Sequence, residues 1–300
     1  MFRLPKGAKI LGQGITGYQG STELPWMLSY GMQVVGGVRP GKGGEVLLGV
    51  PIFDTVKEAI ETVDLVDGTV LYTPPMHTLS AVKEALEAGL KWVLITAEKV
   101  PTKDGSIIYA LAKEHNACVI GPTSVGLINP QLKIKIGSIG GSDPSRAFVP
   151  GEVAIVSKSG GMSSEIGLHL KNNGLGVSWA VGIGGDRIAS MDFADFLMEL
   201  EEDDQTKTSV IFGELGGTYE EKVAEMVRAG KIKKPVVAFI AGEFTQTLPS
   251  EVQFGHAGAI IEGNRGRPDY KRQVLKEAGV KVAENFDEIA NLVKEVLRNG

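Results

Sequence analysis

The first half of the chain alternates between short apolar runs and stretches in which apolar residues recur at helical spacing. The apolar runs predict strands at Lys9 to Leu11, Val34 to Val38, Thr69 to Tyr72, Trp92 to Thr96 and Cys118 to Ile120. The helical spacing predicts helices at Val56 to Val63 and Leu79 to Ala88, and Gly89 stops the second of them. Strands that alternate with helices are typical of a parallel sheet covered on both faces. The pattern predicts an α/β fold.

The same alternation resumes after Pro150-Gly151. Strands are predicted at Val153 to Val156, Val177 to Val181, Ser209 to Phe212, Val236 to Ile240 and Val280 to Val282. Helices are predicted at about Met162 to Asn172, Met191 to Glu201, Glu220 to Ala229, Arg272 to Ala278 and Phe286 to Leu297. A chain of 300 residues suffices for about two domains, and the segment Ile139 to Pro150 is rich in glycine, proline and serine. We predict one domain over residues 1–140 and a second over residues 141–300.

Composition and charge narrow the class of protein. The chain is 43% hydrophobic and 22% charged with a net charge of −5, and it has no Lys/Arg-rich run. These features argue against a nucleic-acid or anionic-membrane partner. No apolar stretch is long enough for a membrane helix or a secretory signal. The single Cys118 excludes a disulfide framework and lies in an apolar run typical of a core. We expect a cytoplasmic protein.

The stretch Gly12-Gln13-Gly14-Ile15-Thr16-Gly17-Tyr18-Gln19-Gly20 follows directly on the first predicted strand. Glycines at this place let the backbone approach a phosphate at a helix N-terminus. A dinucleotide domain also needs an acidic residue after its second strand, whereas Gly36 to Gly44 contains Arg39 and Lys42. Cations in a glycine loop favour extra phosphates over a nicotinamide cofactor. A nicotinamide-dependent oxidoreductase and a solvated basic loop stay open as alternatives.

Two further turns in the second half are candidates for a functional site, one as an anion-binding turn and the other as the position of a carboxylate. Ser157-Lys158-Ser159-Gly160-Gly161 joins a predicted strand to a helix, so its N–H groups predict an anion site, with an ordinary N-cap serine as the alternative. Phe212-Gly213-Glu214-Leu215-Gly216-Gly217 places one carboxylate at a strand end between glycines. That carboxylate is suited to orient an imidazole N–H, or it is simply an acid at the start of a helix.

His256 lies in Gly255-His256-Ala257-Gly258-Ala259-Ile260, among residues too small to shield it. Neutral imidazole is a competent nucleophile, and the small neighbours leave room for a phosphoryl group. His77, His115 and His169 are expected to pack or to face solvent. The sequence has no His/carboxylate spacing typical of a metal site, so we predict no metal held by this chain.

Taken together and in order, these motifs resemble the α subunit of succinyl-CoA synthetase over nearly the whole chain. They are Gly14 to Gly20, Gly36 to Gly44, Gly121-Pro122, Ser157 to Gly160, Gly182-Ile183-Gly184-Gly185-Asp186, Gly213 to Gly217 and Gly255 to Ile261. The resemblance implies an N-terminal Rossmann-like CoA-binding domain and a C-terminal flavodoxin-like domain that carries a phosphohistidine. It also implies CoA and ATP with Mg²⁺ as cofactors, the ATP bound mainly by a β-type ATP-grasp partner subunit.

The resemblance also assigns residues to these roles. To CoA it assigns Thr16, Gly17, Tyr18, Gln19, Lys42, Thr96, Ala97 and Glu98. The catalytic residues it implies are His256, which is phosphorylated, and Glu214, which orients it. The turn Ser159-Gly160-Gly161 then holds the phosphate.

The turn after Ser157 departs from the succinate enzyme, because Gly161 and Ser164 stand where that α subunit commonly has threonine and tyrosine. Together with Gly121 to Gly126 and Ser250 to Ala259, it is more similar to the corresponding module of ATP-citrate lyase and to the small subunit of citryl-CoA synthetase. The sequence therefore predicts a citrate–CoA ligase subunit that forms citryl-CoA through a phosphohistidine and an acyl phosphate. Succinate is the alternative substrate, and a CoA-sensing module without turnover is a further alternative.

Overall fold

The computed structural model describes residues 1–242 and 266–299. The chain packs as two compact units. The first contains Met1–Pro144 and Ile188–Met191, and the second contains Ser145–Arg187 and the described residues from Asp192 onward. Each unit has a mainly parallel sheet with helices in the connections, which confirms the predicted α/β class.

The mainly parallel sheet of the first unit contains seven of its strands, in the order β3-β4-β2-β1-β5-β6-β7. Its elements are β1 Lys9–Gln13, α1 Tyr18–Tyr30, β2 Gln33–Val38, β3 Val46–Leu47, β4 Val50–Phe53, α2 Val56–Thr62, β5 Gly68–Leu71, α3 Pro75–Glu87, β6 Trp92–Ile95, α4 Thr102–Glu114, β7 Cys118–Ile120, β8 Gly126–Asn129 and β9 Ile134–Gly137. Strand β1 pairs in parallel with β2 on one side and with β5 on the other. The sheet therefore reverses its order at β1, and a crevice for ligands is expected beyond the carboxyl ends of these strands.

The second unit has its parallel strands in the order β14-β13-β12-β10-β11. Its elements are β10 Pro150–Ser157, α5 Gly160–Asn172, β11 Val177–Gly182, α6 Phe193–Leu200, β12 Thr208–Gly213, α7 Tyr219–Arg228, β13 Val236–Ile240, α8 Pro268–Glu277, β14 Lys281–Ala283 and α9 Glu288–Asn299. This is the flavodoxin-like strand order, and its reversal lies between β10 and β12.

The apolar runs form the cores, as the pattern predicts. Every residue of β5, β6, β7, β11 and β12 is buried. Strands covered by helices on both faces lose the polar alternation of a half-exposed sheet. Cys118 is buried, as expected, and its Sγ lies 3.4 Å from Met191 Sδ.

Several element boundaries differ from the predicted ones for identifiable reasons. Helix α3 begins at Pro75 and α8 at Pro268, about one turn earlier than predicted, because proline is favoured at the first helical position. Helix α6 begins later, at Phe193, since Asp192 caps it and forms a capping box with Asp195. The sequence analysis did not predict α4 or the antiparallel hairpin of β8 and β9.

Candidate functional site

A pocket of about 580 Å³ lies at the carboxyl end of β1 in the first unit. Its walls come from the segments that follow β1, β2 and β5 and from the first turns of α3. The lining residues are Gln13, Gly14, Gly17, Tyr18, Val38, Arg39, Pro40, Tyr72, Thr73, Pro74, His77, Ser80, Ala81 and Glu84. The pocket thus occupies the crevice that the strand order predicts.

Two glycines of the first motif are required by close contacts. Gly14 has a φ of 74°, and a β-carbon there would lie 3.1 Å from the carbonyl carbon of Tyr72. A β-carbon at Gly20 would lie 2.5 Å from the α-carbon of Ile15. Helix α1 can therefore begin directly against the turn, with its N-terminus beside the pocket.

Several features of the pocket would favour the binding of an anion. Gly17 is the N-cap residue of α1, and it has no side chain that could accept a hydrogen bond from the first amides of the helix. These N–H groups form the positive end of the helix dipole, beside the pocket. The N-terminus of α3 borders the same pocket. Arg39 also lines the pocket, and its Nη1 donates to Thr16 Oγ1 (2.8 Å). Thr73 lines it too, and its buried Oγ1 has no hydrogen-bond partner among the described residues. These features suit a phosphorylated ligand with further polar groups.

Some of the residues that the resemblance assigns to CoA line this pocket, and others do not. Gly17 and Tyr18 line it, and Tyr18 is 92% exposed. Thr16 accepts a hydrogen bond from Arg39, which lines the pocket. Gln19 is the second residue of α1, and its Nε2 donates to Glu23 Oε1 (3.1 Å).

Lys42 and the segment 96–98 lie outside the pocket lining. The Lys42 ammonium donates to Glu45 Oε1 (2.6 Å), and its backbone N–H donates to Asp54 Oδ1 (3.1 Å). Backbone hydrogen bonds from Gly43 and its neighbours hold the pKa of Asp54 below its usual value, so this carboxylate organises the loop after β2. Thr96 is buried, and its Oγ1 donates to Leu71 O (2.8 Å), which ties the end of β6 to the end of β5.

Sequence reasoning missed the part of the lining that β5 and α3 contribute. Thr73, Pro74 and Ser80 lie in no glycine-rich motif, and His77 was expected to be a packing or surface residue. Their place in the pocket follows from the pairing of β1 with β5, strands more than fifty residues apart in the chain. Only the strand order could have indicated them.

A cluster of buried ionisable side chains adjoins the pocket. Glu23, on α1, and Lys135, on β9, are both buried, and Tyr72 lines the pocket. Burial raises the pKa of Glu23 and of Tyr72, and it lowers the pKa of Lys135 to about 8 although Glu23 opposes that shift. Lys135 Nζ donates to Gly137 O (2.7 Å) and lies 5.6 Å from the ring centre of Trp26.

In the second unit, the predicted anion-binding turn and the loop that carries the predicted orienting carboxylate follow adjacent strands. Ser157, at the end of β10, is the register partner of Phe212 in β12. The turn 157–161 and the loop 213–217 therefore leave the sheet side by side, at the reversal of strand order. The tertiary structure brings together Ser159 to Gly161 and the loop that carries Glu214.

The turn after β10 leaves the start of α5 open. Helix α5 begins at Gly160, and Ser159 is its N-cap residue but makes no side-chain capping hydrogen bond. Instead, Ser157 Oγ donates to Ser159 O (2.7 Å) and accepts from Ser159 N (3.1 Å). A β-carbon at the exposed Gly161 would meet nothing within 4 Å. The amides of the first turn are thus accessible to an anion.

The loop after β12 is held by a buried cluster of charges. Glu220 is fully buried, and its Oε1 accepts from Lys158 Nζ (3.0 Å) while its Oε2 accepts from Lys271 Nζ. Burial raises the pKa of Glu220, but the two ammonium groups outweigh it and leave the pKa below its usual value. Burial lowers the pKa of Lys271, whereas Glu220 outweighs burial at Lys158 and leaves its pKa raised. Sequence reasoning missed this cluster, because its members lie in three separate segments.

His256 lies outside the described residues, within 243–265. The described residues on either side of that range adjoin the Glu214 loop. Ala241 N donates to Gly213 O (3.0 Å), and Gly266 O accepts from Gly216 N (2.8 Å). Gly266 N in turn donates to Glu221 Oε1 (3.2 Å).

Within 1–242 and 266–299, no helix combines the length and the apolar character needed to cross a membrane. The same residues contain no group of three or more His, Cys, Asp or Glu side chains that could hold a metal ion.

Comparison with known families agrees with this division of the chain. Residues 6–99 match the family described as a CoA binding domain. Residues 150–296 match the succinyl-CoA ligase like flavodoxin domain. The pocket and the paired loops of the second unit lie within these two matches.

Whole-chain relatives extend this result. The chain is 40% identical over 292 residues to the succinate–CoA ligase (ADP-forming) subunit alpha 1 of Archaeoglobus fulgidus, covering 97% of each. It is 38% identical to the ADP-forming sulfoacetate–CoA ligase subunit SqwL of an Acholeplasma species, covering 98% of this chain and 97% of that one.

Among solved structures, ATP citrate lyase from Methanothrix soehngenii superposes with a TM-score of 0.88 at 27% identity, covering 98% of this chain and 50% of that one. The structural agreement is close, but the sequence identity is well below that of the whole-chain relatives. The match at 40% identity over nearly the full length of both proteins assigns the chain to a ligase family and not to the oxidoreductases. The chain belongs to the succinyl-CoA synthetase α-subunit family of ADP-forming acid–CoA ligases.

Proposed function

We propose that this chain is the α-type subunit of a two-chain ligase that joins a small carboxylate to CoA at the expense of a nucleotide. The single observation that carries the proposal is the pair of glycine-rich turns, each at the strand-order reversal of its own sheet. One borders a 580 Å³ pocket, and the other lies beside a loop that carries a carboxylate. A β-type ATP-grasp subunit would supply the nucleotide site.

The first pocket is the proposed CoA site. The N-termini of α1 and α3 and the Arg39 guanidinium suit its phosphates, and the unpartnered Thr73 hydroxyl suits a polar group of the ligand. Thr16, Gly17, Tyr18 and Gln19 remain the proposed contacts at the first turn. For Lys42 and the segment 96–98, which lie outside the lining, contact with CoA requires the ligand to extend beyond this pocket.

The second unit is the proposed phosphoryl-transfer site. In this proposal a ring nitrogen of His256 attacks the nucleotide γ-phosphorus, forming an N–P bond while the P–O bond to ADP breaks. Glu214 accepts the other imidazole N–H and so directs the attacking nitrogen. The amides at Ser159, Gly160 and Gly161 stabilise the charge on the phosphoryl oxygens. Mg²⁺ would accompany the nucleotide on the partner subunit and neutralise phosphate charge there.

Two displacements complete the reaction. A carboxylate oxygen of the acid takes the phosphoryl group from His256, which gives an acyl phosphate and restores the neutral imidazole. The CoA thiolate then attacks the carbonyl carbon, and inorganic phosphate leaves. The CoA pocket proposed for the first unit and the transfer site proposed for the second are both needed for turnover.

The comparisons favour succinate over citrate as the acid. The relatives named for succinate are about 40% identical over the whole chain, whereas the ATP citrate lyase structure is 27% identical. A relative named for sulfoacetate, at 38% identity, indicates that the family accepts different small acids. Gly161 and Ser164, which contributed to the citrate prediction together with Gly121 to Gly126 and Ser250 to Ala259, would then be positions where this chain accommodates its own acid.

Reconstitution with the partner subunit tests the proposal. The pair should form a CoA thioester from an acid in a panel of succinate, citrate and sulfoacetate, with succinate preferred. Labelled ATP should leave an acid-labile phosphate on the wild-type chain and none on His256→Asn. Absence of label on the wild type would favour a CoA-sensing module, and a preference for citrate would restore the original substrate prediction.

A further inference from the structure

We infer that Lys158, Glu220 and Lys271 form a positioning triad that fixes the main chain on both sides of Glu214. This inference rests on the proposed function, in which the Glu214 side chain orients the phosphorylated histidine. All three side chains are buried. Their proposed role is to hold the loop 213–217 in the geometry that the transfer requires.

The hydrogen bonds of the triad converge on two residues of the loop. Glu214 N donates to Glu220 Oε1 (3.2 Å), and Glu214 O accepts from Lys271 Nζ (2.9 Å). Gly216 O accepts from both ammonium groups, at 2.6 Å from Lys271 and 3.3 Å from Lys158. Both main-chain polar groups of Glu214 are therefore bound by buried charged side chains, and such hydrogen bonds are stronger than neutral ones.

The triad also joins three segments that the chemistry needs together. Lys158 belongs to the turn after β10, and its backbone N–H donates to Phe212 O (3.2 Å) in β12. Its ammonium lies 5.2 Å from the ring centre of Tyr219 and 5.9 Å from that of Phe193. Lys271 belongs to α8, which follows closely on residues 243–265. Moving any one segment would break a contact to Glu220.

The charge of the triad matches an anionic site. Two buried ammonium groups face one buried carboxylate, so the cluster carries one net positive charge when all three groups are ionised. Burying an ammonium group without a compensating anion is costly. Glu214, whose charge acts on Lys158, supplies part of that compensation.

Gly213 offers an independent way to disturb the triad. A β-carbon at this position would lie 2.5 Å from Glu220 Oε1 and 2.8 Å from Ile240 Cδ1. Gly213→Ala would push the carboxylate away from the loop while it leaves every charge in place. Lys271→Met has the complementary effect, because it removes two loop contacts and leaves Lys158 and Glu220 as a neutral pair.

The experiment measures single-turnover phosphorylation of the reconstituted complex with labelled ATP, together with kcat and KM. We expect the phosphorylation rate to fall at least tenfold in Lys271→Met and in Gly213→Ala. The KM for CoA should stay within twofold of the wild-type value. Lys271→Arg, which keeps the charge and donors, should recover part of the rate. The control Lys281→Met removes an exposed ion pair with Glu295 in the same unit and should leave the rate unchanged.

Hydrogen exchange of the same variants reports on the loop directly. The amides of residues 214 and 216 should exchange faster in Lys271→Met than in Lys281→Met. If the wild type is phosphorylated normally and Lys271→Met matches it in rate and in exchange, the triad has no positioning role and the proposed function stands. If the wild type itself acquires no label on His256, the proposed function falls, and the positioning role for transfer falls with it.

Discussion

The two units carry a glycine-rich turn at the same place in their sheets but stabilise it in different ways. In the first unit, Gly14 and Gly20 allow backbone and helix to pack within contact distance of Tyr72 and Ile15. In the second, the loop beside the turn is bound by the buried side chains of Lys158, Glu220 and Lys271. Close packing shapes a cavity for a large ligand, whereas buried charge holds a reactive group in a field suited to phosphate. The difference matches the binding and transfer roles proposed for the units.

The largest effect is expected from removing the central carboxylate of the triad. Glu220→Gln leaves two buried ammonium groups without their anion, so it should lower the free energy of unfolding by about 3–5 kcal/mol. Glu23→Gln is the matched change in the first unit. Because burial already disfavours the charged form of Glu23, its loss should cost about 1 kcal/mol. Denaturant unfolding at pH 7 measures the free energy of unfolding of both variants. Equal losses would contradict the proposed difference between the units.

Alanine substitutions at two glycines should distinguish the effect of close packing at the turn after β1 from the effect of an unfavourable backbone conformation. Gly14 and Gly174 have φ values of 74° and 77°, but only a β-carbon at Gly14 would meet other atoms within 4 Å. Alanine at either position should cost about 1–2 kcal/mol, because L-residues disfavour positive φ. Only Gly14→Ala should also weaken CoA binding, by about tenfold or more. Calorimetric titration with CoA provides the measurement, and equal affinities in the two variants would refute a role for close packing.

Two cations near the pocket should differ in their contribution to CoA binding. Arg39 lines the pocket and bonds to Thr16, whereas the Lys42 ammonium is paired with Glu45 at 2.6 Å. Arg39→Gln should weaken CoA binding about tenfold, equivalent to about 1.4 kcal/mol, and should reduce its salt dependence. Lys42→Gln should have a smaller effect, because the lysine must first leave its partner. A larger effect at Lys42 would mean that CoA extends over the loop after β2.

The smallest effect concerns the pH dependence of the buried lysine beneath the pocket. The pKa of Lys135 is lowered from 10.5 to about 8 in the folded protein, so between these values the unfolded chain binds more protons. Stability attributable to Lys135 should therefore rise as pH increases from 8 toward 10.5. Relative to Lys135→Met, the wild type should gain about 1 kcal/mol between pH 8 and pH 9. Chemical denaturation of both proteins at the two pH values checks this, and a constant difference would mean that Lys135 keeps its usual pKa.

The sequence by itself determined the class of fold and the positions of the glycine-rich turns. Apolar runs such as Trp92–Ile95 became buried strands, since a strand covered on both faces needs apolar residues throughout. The motif Gly12 to Gly20 and the turn Ser157 to Gly161 mark strand-to-helix turns by their small residues. Each of these features involves only a few consecutive residues, so it can be recognised in the sequence.

The tertiary structure alone decided which segments meet. The pairing of β1 with β5 brought Thr73 and His77 to the pocket. The pairing of β10 with β12 set the turn at Ser159 beside the loop of Glu214. Lys158, Glu220 and Lys271 are ordinary charged residues of helices and turns in the sequence, and burial made them a cluster. Burial and strand order depend on contacts between distant segments, and no local pattern of residues specifies those contacts.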